Sequence, residues 1–234
     1  MKIALLGYGK MGKAVEKIAE NRGHKVVLRL TKDIKDYNIR DADVAVDFSI
    51  PSAAYDNISN CLNNGVPVVS GTTGWLKDYD NITSLCRERD GAFIYASNFS
   101  LGVNILFEMN KKLASIMSGQ NDYKVRLSEI HHQEKLDAPS GTAITLAEDI
   151  IANSQYSSWE LNRSTSENSI PIQADRVKDV TGTHIIDYSS EMDSIKIYHE
   201  AFNRQGFALG AVIAAEWLRD KSGIFTMKDV LNIG

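Results

Sequence analysis

The sequence predicts an α/β fold in which a parallel sheet carries helices on both faces, followed by a region of mixed helix and strand. Up to residue 100, short apolar runs alternate with helical segments, and two of these segments end at glycine. This alternation is typical of βαβ units. After residue 100 it stops, and a long helical segment is followed by strands of alternating character. We therefore expect two regions of different architecture.

The first region begins with "KIALL" (2–6), an apolar run that ends at glycine, as expected of a buried parallel strand. "KAVEKIAENRG" then places Val15, Ile18 and Ala19 at helical spacing and stops at Gly23, a plausible end of the helix. Four more strands are predicted, in chain order "KVVLRL", "VAVDFS", "VPVVSG" and "AFIYASN", with the helix "AAYDNISNCLNNG" between the second and third of them.

The second region begins with a long helix, "LGVNILFEMNKKLASIMS", and the strand "YKVRLSEI". A helix, "TAITLAEDIIAN", precedes a polar segment from Ser154 to Ser169 that is expected to be a loop. "THIIDYS" and "SIKIYHEAF" predict an antiparallel pair, and "ALGAVIAAEWLRDKSG" an apolar helix that returns to the first domain. We expect one domain over 1–100 plus 207–234 and a second over 101–206.

The composition is that of a globular protein, with 43% hydrophobic and 24% charged residues in 234. Lys plus Arg number 26 against 30 Asp plus Glu, so the net charge of -4 excludes the basic footprint of a nucleic-acid-binding protein. Cys61 and Cys86 show no CxxC spacing, which predicts reduced thiols. The apolar run before the first glycine is too short for a signal peptide or a membrane span. We expect a cytoplasmic protein without a membrane or nucleic-acid partner.

A glycine motif follows the first strand. "GYGKMG" is a GxGxxG that comes directly after a strand and opens a helix. In such a turn the first glycine permits the tight bend, the second lets a pyrophosphate approach the backbone, and the third lets helix and strand pack closely. The N–H groups at the helix start hold the phosphates. A strand–helix turn without a ligand is the alternative. The residues that we assign here to cofactor binding are Gly7, Tyr8, Gly9, Lys10, Met11 and Gly12.

The end of the second strand bears on the choice of cofactor. An acidic residue about 20 positions after the glycine motif selects NAD by binding the ribose hydroxyls. This sequence has Thr31 and Lys32 there, and Asp33 lies further along. Because a neutral or basic strand end tolerates the extra phosphate of NADP, we expect NADPH, or use of both NADPH and NADH, with Thr31 among the contacts.

Two further segments follow later strands of the predicted sheet. "SGTTGW" follows the fourth strand and "ASNFSLGVN" leaves the fifth. Since open α/β sheets bind ligands at the carboxyl ends of their strands, both segments are candidates for contact with a nicotinamide ring. Taken alone, each is more typical of a turn. The residues that we assign here to cofactor binding are Gly71, Thr72, Thr73, Ala96, Ser97, Asn98 and Phe99.

Six segments occur in one order along the chain: "GYGKMG", "DFS", "GTTGW", "SNFSLGVN", "HHQEKLDAPSGTA" and "RQGFALGAV". Together they resemble the 4-hydroxy-tetrahydrodipicolinate reductase (dihydrodipicolinate reductase) family of the lysine and diaminopimelate pathway, over essentially the whole chain. The "HHxxKxDAPSGTA" block is highly specific to that family. The resemblance implies a Rossmann-like parallel sheet domain with an inserted, smaller α+β mixed-sheet domain. It also implies a homotetramer assembled through the second domain's sheet.

The resemblance further implies an activity, the NAD(P)H-dependent reduction of 4-hydroxy-tetrahydrodipicolinate with loss of water. His131 matches the family's proton donor or acceptor, and Lys135 matches a lysine that donates a proton. His132 matches a substrate-binding position. The start of the helix that follows, at Ser140, Gly141 and Thr142, can hold a substrate carboxylate with its backbone N–H groups and the helix dipole. Asp137 is expected to cap or orient the turn.

Matches to the family continue downstream, with one departure. In "ADRVKDVTGTH", Arg176, Gly182 and His184 match the family's segment, but Lys178 stands where family members usually have glycine. That departure puts the local backbone geometry in doubt. Arg204 and Phe207 match positions near the hinge and the nicotinamide site, and packing between domains is an equal alternative for both.

The chemistry of such a substrate explains the histidine stretch. A small dicarboxylate needs cations and N–H donors, and reduction by hydride needs a proton. A histidine side chain has a reference pKa near 6.5 and carries a proton at neutral pH without a large shift. A positioned acid of this kind contributes roughly 10² to 10⁴ in rate.

Other interpretations of the chain remain open. Adjacent imidazoles lack the usual spacing of metal ligands, so no metal is expected. A Ser–His hydrolase using Ser140 would lack the GxSxG elbow and leave the nucleotide motif unexplained. A sensor that binds NAD(P)H without chemistry and a Rossmann reductase of another imino or carbonyl acid are the remaining alternatives.

Overall fold

The computed structural model describes residues 1–32, 34 and 37–233. The chain divides into two compact units, Met1–Leu101 with Gln205–Gly234, and Gly102–Arg204. In chain order the elements are β1 (Lys2–Leu6), α1 (Lys10–Asn21), β2 (Lys25–Leu30), β3 (Val44–Asp47), α2 (Pro51–Asn63), β4 (Val68–Ser70), a 3₁₀ turn (Leu76–Asp78), α3 (Tyr79–Glu88), β5 (Ala92–Tyr95), α4 (Leu101–Met117), β6 (Lys124–His131), α5 (Gly141–Ala152), β7 (Ser158–Leu161), β8 (Ser169–Arg176), β9 (Gly182–Ser189), β10 (Ser194–Ala201), α6 (Gln205–Leu218), β11 (Gly223–Phe225) and α7 (Met227–Leu231).

The first unit is a six-stranded sheet in the order β11-β5-β4-β3-β1-β2, with every pair of neighbours parallel. Both faces are covered. Ile3 and Leu5 of β1 pack in one apolar cluster with α1 and α6, while Ala4 and Leu6 pack in another with α2 and α3. Because a strand buried on both faces needs apolar residues at successive positions, β1 is a continuous apolar run rather than an alternating one.

The second unit is a five-stranded mixed sheet in the order β10-β9-β6-β8-β7. β8 is parallel to β6 and β7, and β9 is antiparallel to β6 and β10. Val125 and Leu127 of β6 pack with Ile186 of β9 in an apolar cluster that includes residues of α4 and α5, such as Leu106 and Leu146. The predicted fold class, a Rossmann-like parallel sheet with a smaller mixed-sheet part, is therefore confirmed.

The predicted elements and the structure differ at several places. The segment 154–169 was expected to be a loop, and this expectation is wrong because β7 lies inside it and β8 begins at its end. β7 is an edge strand with a largely exposed surface, so its residues lack the apolar alternation that marks a half-buried strand. The structure also adds α3 and β11, which the sequence pattern did not reveal.

Two observations concern the chain as a whole. Among the described residues, no helix is both long enough and apolar enough to cross a membrane. Cys61 and Cys86 are both free and buried.

Candidate active site

The turn after β1 has the geometry that its glycines require. Gly7 has φ of +98°, and a Cβ atom there would collide with the carbonyl oxygen of Phe48. A Cβ at Gly12 would collide with the carbonyl oxygen of Gly7, so the start of α1 lies directly against the turn. A Cβ at Gly9 would meet nothing within 4 Å. Gly9 is the N-cap of α1 and brings no side chain to it, which leaves space for a ligand at the helix start.

A cleft opens where the sheet reverses its strand order, beside the carboxyl ends of β1 and β3. At such a switch point an open α/β sheet binds its ligand. One cavity of about 860 Å³ is lined by Gly7, Tyr8, Gly9, Leu30, Thr31, Lys32, Ile34, Tyr37, Phe48, Ser49, Ile50, Ser52, Ala53, Asp56, Asn57 and Asn60. A second of about 390 Å³ is lined by Gly9, Lys10, Met11, Phe48, Ser49, Pro51, Gly71, Thr72 and Thr73. Most of the residues predicted to bind the cofactor therefore line these two cavities.

The segment predicted to approach the nicotinamide from β5, Ala96 to Phe99, lies outside the lining of these two cavities. The Phe99 side chain is only 2% exposed and packs edge-on against Phe48, with ring centroids 5.8 Å apart. The Phe99 side chain thus supports the floor of the cleft through Phe48 and presents no surface of its own to a ligand.

A buried carboxylate joins the two loops that line the cleft. Asp47 ends β3 and is fully buried. It accepts hydrogen bonds from Ser49 Oγ (2.6 Å), Ser70 Oγ (2.8 Å), Thr72 Oγ1 (2.8 Å) and Asn57 Nδ2 (3.2 Å). Burial raises the pKa of Asp47, and the four hydrogen bonds oppose that rise. The segment "DFS" matches the family, but its sequence does not reveal this network.

The residues that bear on the choice of cofactor lie at the end of β2. Thr31 is half-buried and Lys32 is exposed at the mouth of the larger cavity. Asp33 lies outside the described residues. The guanidinium of Arg29 is paired with Glu16, because its Nε donates to Glu16 Oε1 at 2.6 Å. Glu16 also accepts from the Tyr8 hydroxyl, so the tyrosine of the glycine motif is held in place.

The second unit carries a polar cluster at the carboxyl end of β6. Along the buried face of this strand the residues change from Val125 and Leu127 to Glu129 and His131. Glu129 lies directly across from His184 on β9, and His184 lies across from His199 on β10. The rings of His131 and His184 are 5.2 Å apart between centroids. A carboxylate and three imidazoles thus share one face of the sheet.

Glu129 is the centre of this cluster and is fully buried. Its Oε1 accepts from the Ser140 backbone N–H (3.0 Å) and from Arg176 Nη2 (3.1 Å), and its Oε2 lies 3.1 Å from His131 Nδ1. Burial alone would raise the pKa of Glu129, but its contacts with His131 and Ser140 outweigh burial and lower the pKa to about 2. Glu129 is therefore ionised at neutral pH.

His184 is the uncharged member of the cluster. Burial, reinforced by His131, lowers the pKa of His184 to about 3, against the opposing effect of Glu129. Its Nε2 lies 3.3 Å from Ser140 Oγ and 4.0 Å from Glu129 Oε2. Burial also lowers the pKa of His199. Donor atoms of Glu129, His131 and His184 lie within 4.8 Å of one another, a spacing that could hold a metal ion. The guanidinium of Arg176 beside Glu129 opposes a further cation there.

The loop after β6 holds the other predicted substrate residues. Lys135 Nζ pairs with both carboxylate oxygens of Asp137 at 2.8 Å, so Asp137 orients the lysine. His132 Nε2 lies 3.5 Å from Arg204 Nη2. Ser140 differs from expectation, because its backbone N–H is donated to Glu129 and its hydroxyl accepts from Ala143 N as the N-cap of α5.

The remaining backbone donors at the start of α5 belong to Gly141 and Thr142. Gly141 is exposed and a Cβ there would meet nothing within 4 Å, while Thr142 is half-buried. These two residues are therefore more open to a carboxylate than Ser140 is.

Arg176 ties this loop to the sheet. Besides Glu129, its guanidinium donates to the carbonyl oxygens of Lys135 (3.3 Å) and Asp137 (2.5 Å). Lys178, which stands where family members usually have glycine, does not adopt the left-handed conformation. The next residue, Asp179, adopts it, with φ of +63°. Arg176 and His184 were predicted only as matches to the family, without partners, and Glu129 was not predicted. A carboxylate on the apolar-spaced face of "YKVRLSEI" was the signal that could have identified it.

Comparison with known proteins places this arrangement in a family. The family model described as "Dihydrodipicolinate reductase, N-terminus" matches residues 1–99, and "Dihydrodipicolinate reductase, C-terminus" matches residues 102–231. The 4-hydroxy-tetrahydrodipicolinate reductase of Christiangramia forsetii is 57% identical over 99% of this chain and 98% of its own. The enzyme of that name from Alkaliphilus oremlandii is 33% identical over 96% of this chain and 95% of its own.

A solved structure agrees with these relatives. The dipicolinate-bound dihydrodipicolinate reductase of Paenisporosarcina sp. TG-14 superposes with a TM-score of 0.77 and 25% identity, covering 97% of each chain. Two family models that together span nearly the whole chain, and relatives of high identity over its full length, leave one conclusion: the chain belongs to the dihydrodipicolinate reductase family.

Proposed function

We propose that this protein reduces 4-hydroxy-tetrahydrodipicolinate to tetrahydrodipicolinate with loss of water, using NAD(P)H, in the diaminopimelate and lysine pathway. The observation that carries the proposal is the block "HHQEKLDAPSGTA", which the fold places beside a buried, charged cluster in a chain 57% identical to a reductase of that name. The reaction consumes one hydride and one proton and releases one water.

The first unit supplies the site for the nicotinamide cofactor. When bound, the reduced nicotinamide supplies the hydride. The collision that a side chain at Gly7 would cause and the open space at Gly9 support phosphate binding at the start of α1. Phe48, Ser49 and Thr72 bring side chains from two loops to the same cleft.

The second unit supplies the proton and the positive charge. His131 sits at the end of β6 with 9% of its surface exposed and with an ionised carboxylate behind it, which suits a general acid. Lys135 adds an ammonium in the loop that follows and acts as a second proton donor. We assign substrate carboxylate binding to His132 and to the start of α5 at Gly141 and Thr142, with Ser140 fixing that helix start.

The cofactor proposal extends to its preference. Lys32 at the mouth of the larger cavity favours the 2′-phosphate of NADPH. Among the described residues that line this cavity, Asp56 is the acidic one. Asp56 lies on α2, away from the end of β2 where an acid would select NADH. We infer that the enzyme uses NADPH and NADH, with NADPH preferred.

Assembly and location complete the proposal. β10 is an edge strand of the second unit, and Ile195 (42% exposed) and Tyr198 (60% exposed) leave apolar surface on it. This supports a homotetramer, which light scattering on the purified protein tests. The two free, buried cysteines support a cytoplasmic location.

The experiment follows oxidation of NADPH when purified protein meets freshly prepared 4-hydroxy-tetrahydrodipicolinate. We expect oxidation that depends on substrate, and a loss of about 10² or more in turnover for His131→Ala, which should still bind NADPH. Binding of NADPH without oxidation would identify a sensor instead. Oxidation with other imino or carbonyl acids, but not with this substrate, would identify a different reductase.

A further inference from the structure

The carboxylate of Glu129 is aimed at one nitrogen of His131. Glu129 and His131 are two residues apart on β6, so their side chains lie on the same face of the strand. Oε1 is held by the Ser140 backbone N–H and by Arg176 Nη2, which leaves Oε2 directed at His131 Nδ1, 3.1 Å away. Because both groups that hold Oε1 are donors, the orientation of the carboxylate is fixed before any substrate binds.

The opposite edge of the His131 ring lies against a glycine. Gly182 on β9 faces this ring, and a Cβ there would come within 3.0 Å of His131 Nε2. Glycine at this position therefore keeps Nε2 clear. With Nδ1–H directed at the carboxylate, the proton that a charged ring can give up is the one on Nε2.

The charged and titratable groups around Glu129 and His131 are arranged about the negative charge of the Glu129 carboxylate. Arg176 of β8 neutralises Glu129 from the Oε1 side. Lys135 of the following loop is paired with Asp137, and His199 of β10 lies behind His184 at 6.3 Å between ring centroids. His184 of β9 stays neutral, since burial lowers its pKa to about 3. Of the imidazoles in the cluster, His131 brings a ring nitrogen to 3.1 Å from Glu129 Oε2, whereas His184 Nε2 lies 4.0 Å away.

We propose that Glu129 is a positioning residue that holds the His131 ring with Nδ1–H toward its carboxylate and stabilises the protonated ring, so that Nε2 delivers the proton in the reaction proposed above. The proposal rests on that function for its role in turnover. A carboxylate that orients a catalytic imidazole and fixes its tautomer is a general device of acid–base enzymes.

Glu129→Gln tests the proposal because the amide has only one way to fit. Its oxygen must face the donors Ser140 N–H and Arg176, which turns the NH₂ group toward His131 Nδ1. An NH₂ group there favours a ring that accepts at Nδ1 and opposes the protonated ring. We expect turnover to fall by about 10² to 10⁴ and the alkaline limb of the pH–rate profile to move to lower pH, with unchanged affinity for NADPH.

Glu134→Gln is the matched control, since Glu134 is exposed in the same stretch of chain. It should retain the wild-type turnover and pH profile. If Glu129→Gln kept the same turnover and alkaline limb as Glu134→Gln, the proposal would be overturned.

A second measurement needs no variant and no turnover. ¹⁵N NMR of labelled wild-type protein at alkaline pH reports which nitrogen of the neutral His131 ring carries hydrogen. We expect Nδ1–H, and a ring protonated on Nε2 would refute the proposal. Because this readout does not depend on activity, it separates a failure of the positioning role from a failure of the proposed function, and it remains decisive if Glu129→Gln does not fold.

Discussion

Lys135 Nζ lies 2.8 Å from each carboxylate oxygen of Asp137, two residues further along the same loop. The ion pair lowers the pKa of Asp137, with the lysine as the main cause. The Asp137 side chain is 58% exposed, so solvent screens the pair and its contribution to stability is small. The pair orients the ammonium of Lys135, which in the proposed reaction is available to a substrate carboxylate.

We expect Lys135→Ala to lower turnover and to raise KM for the substrate, because the variant loses both a proton donor and a cation for a substrate carboxylate. A combined loss of about 10² or more in kcat/KM is reasonable for these two roles. Lys124→Ala is the matched control, since Lys124 is exposed at the start of β6, away from the loop. An effect confined to NADPH binding would contradict the placement of Lys135.

The buried His184 predicts a loss of stability in mild acid. Its pKa is lowered from 6.5 to about 3, so the folded protein resists a proton that the unfolded chain accepts. Stability from this group is present above pH 6.5 and declines as the pH falls toward 3, by up to about 1.4 kcal/mol per pH unit. Glu129, whose pKa is lowered to about 2, adds a loss only below the ordinary glutamate pKa of 4.5.

Between about pH 6.5 and 4.5, the pH dependence of the free energy of unfolding, measured by urea denaturation, therefore reflects mainly the buried histidines. We expect the free energy of unfolding of the wild type to fall across this range and that of His184→Gln to fall less steeply. His199, whose pKa burial also lowers, accounts for part of the slope that remains. Equal slopes for the two proteins would show that His184 is not held neutral.

The sequence was sufficient to predict the parts of the structure whose cause is local. The glycine turn at Gly7 follows from backbone sterics, and the apolar run of β1 from burial on both faces. The cluster around Glu129 was not predictable in this way. His184 meets Glu129, and His199 meets His184, only because β9 pairs with β6 and β10 pairs with β9 in these registers, and the registers depend on packing between distant segments.

The same limit applies to the first unit. Asp47 gains its four donors from three different segments of chain, which no local pattern identifies. Phe99 was predicted to contact the cofactor because it follows β5, and the burial of its side chain against Phe48 was not evident from that position. Edge strands such as β7 are not predicted for another reason, because their exposed residues do not show the apolar alternation of a half-buried strand.

Removal of the Asp47 carboxylate should loosen the cleft. Asp47→Ala leaves the hydroxyls of Ser49, Ser70 and Thr72 without their acceptor, at a cost of about 1 to 3 kcal/mol in the free energy of unfolding. The loss in the free energy of unfolding lies at the lower end of this range if the hydroxyls find other partners. Burial, which disfavours the charged form of Asp47, also reduces the loss. NADPH affinity should fall as well, since Ser49 and Thr72 line the cleft.

Urea denaturation and a fluorescence titration with NADPH measure these two effects. Asp41→Ala is the control, because Asp41 is exposed in the same unit, and its stability should stay within about 0.5 kcal/mol of the wild type. An Asp47→Ala protein indistinguishable from Asp41→Ala in both measurements would show that the network has no positioning role.

Cofactor preference should depend on the charge at Lys32, which lies where the larger cavity opens at the end of β2. Lys32→Glu removes a cation for the 2′-phosphate of NADPH and places a carboxylate where it can accept from the ribose hydroxyls of NADH. A charged hydrogen bond of about 1.5 to 3 kcal/mol corresponds to a shift of roughly 10- to 100-fold in the ratio of kcat/KM for the two cofactors, toward NADH. Lys25→Glu makes the same charge change at an exposed position at the other end of β2 and controls for the net charge of the unit. If both variants kept the wild-type ratio, Lys32 would not face the phosphate, and the preference would have to be set by another part of the cleft.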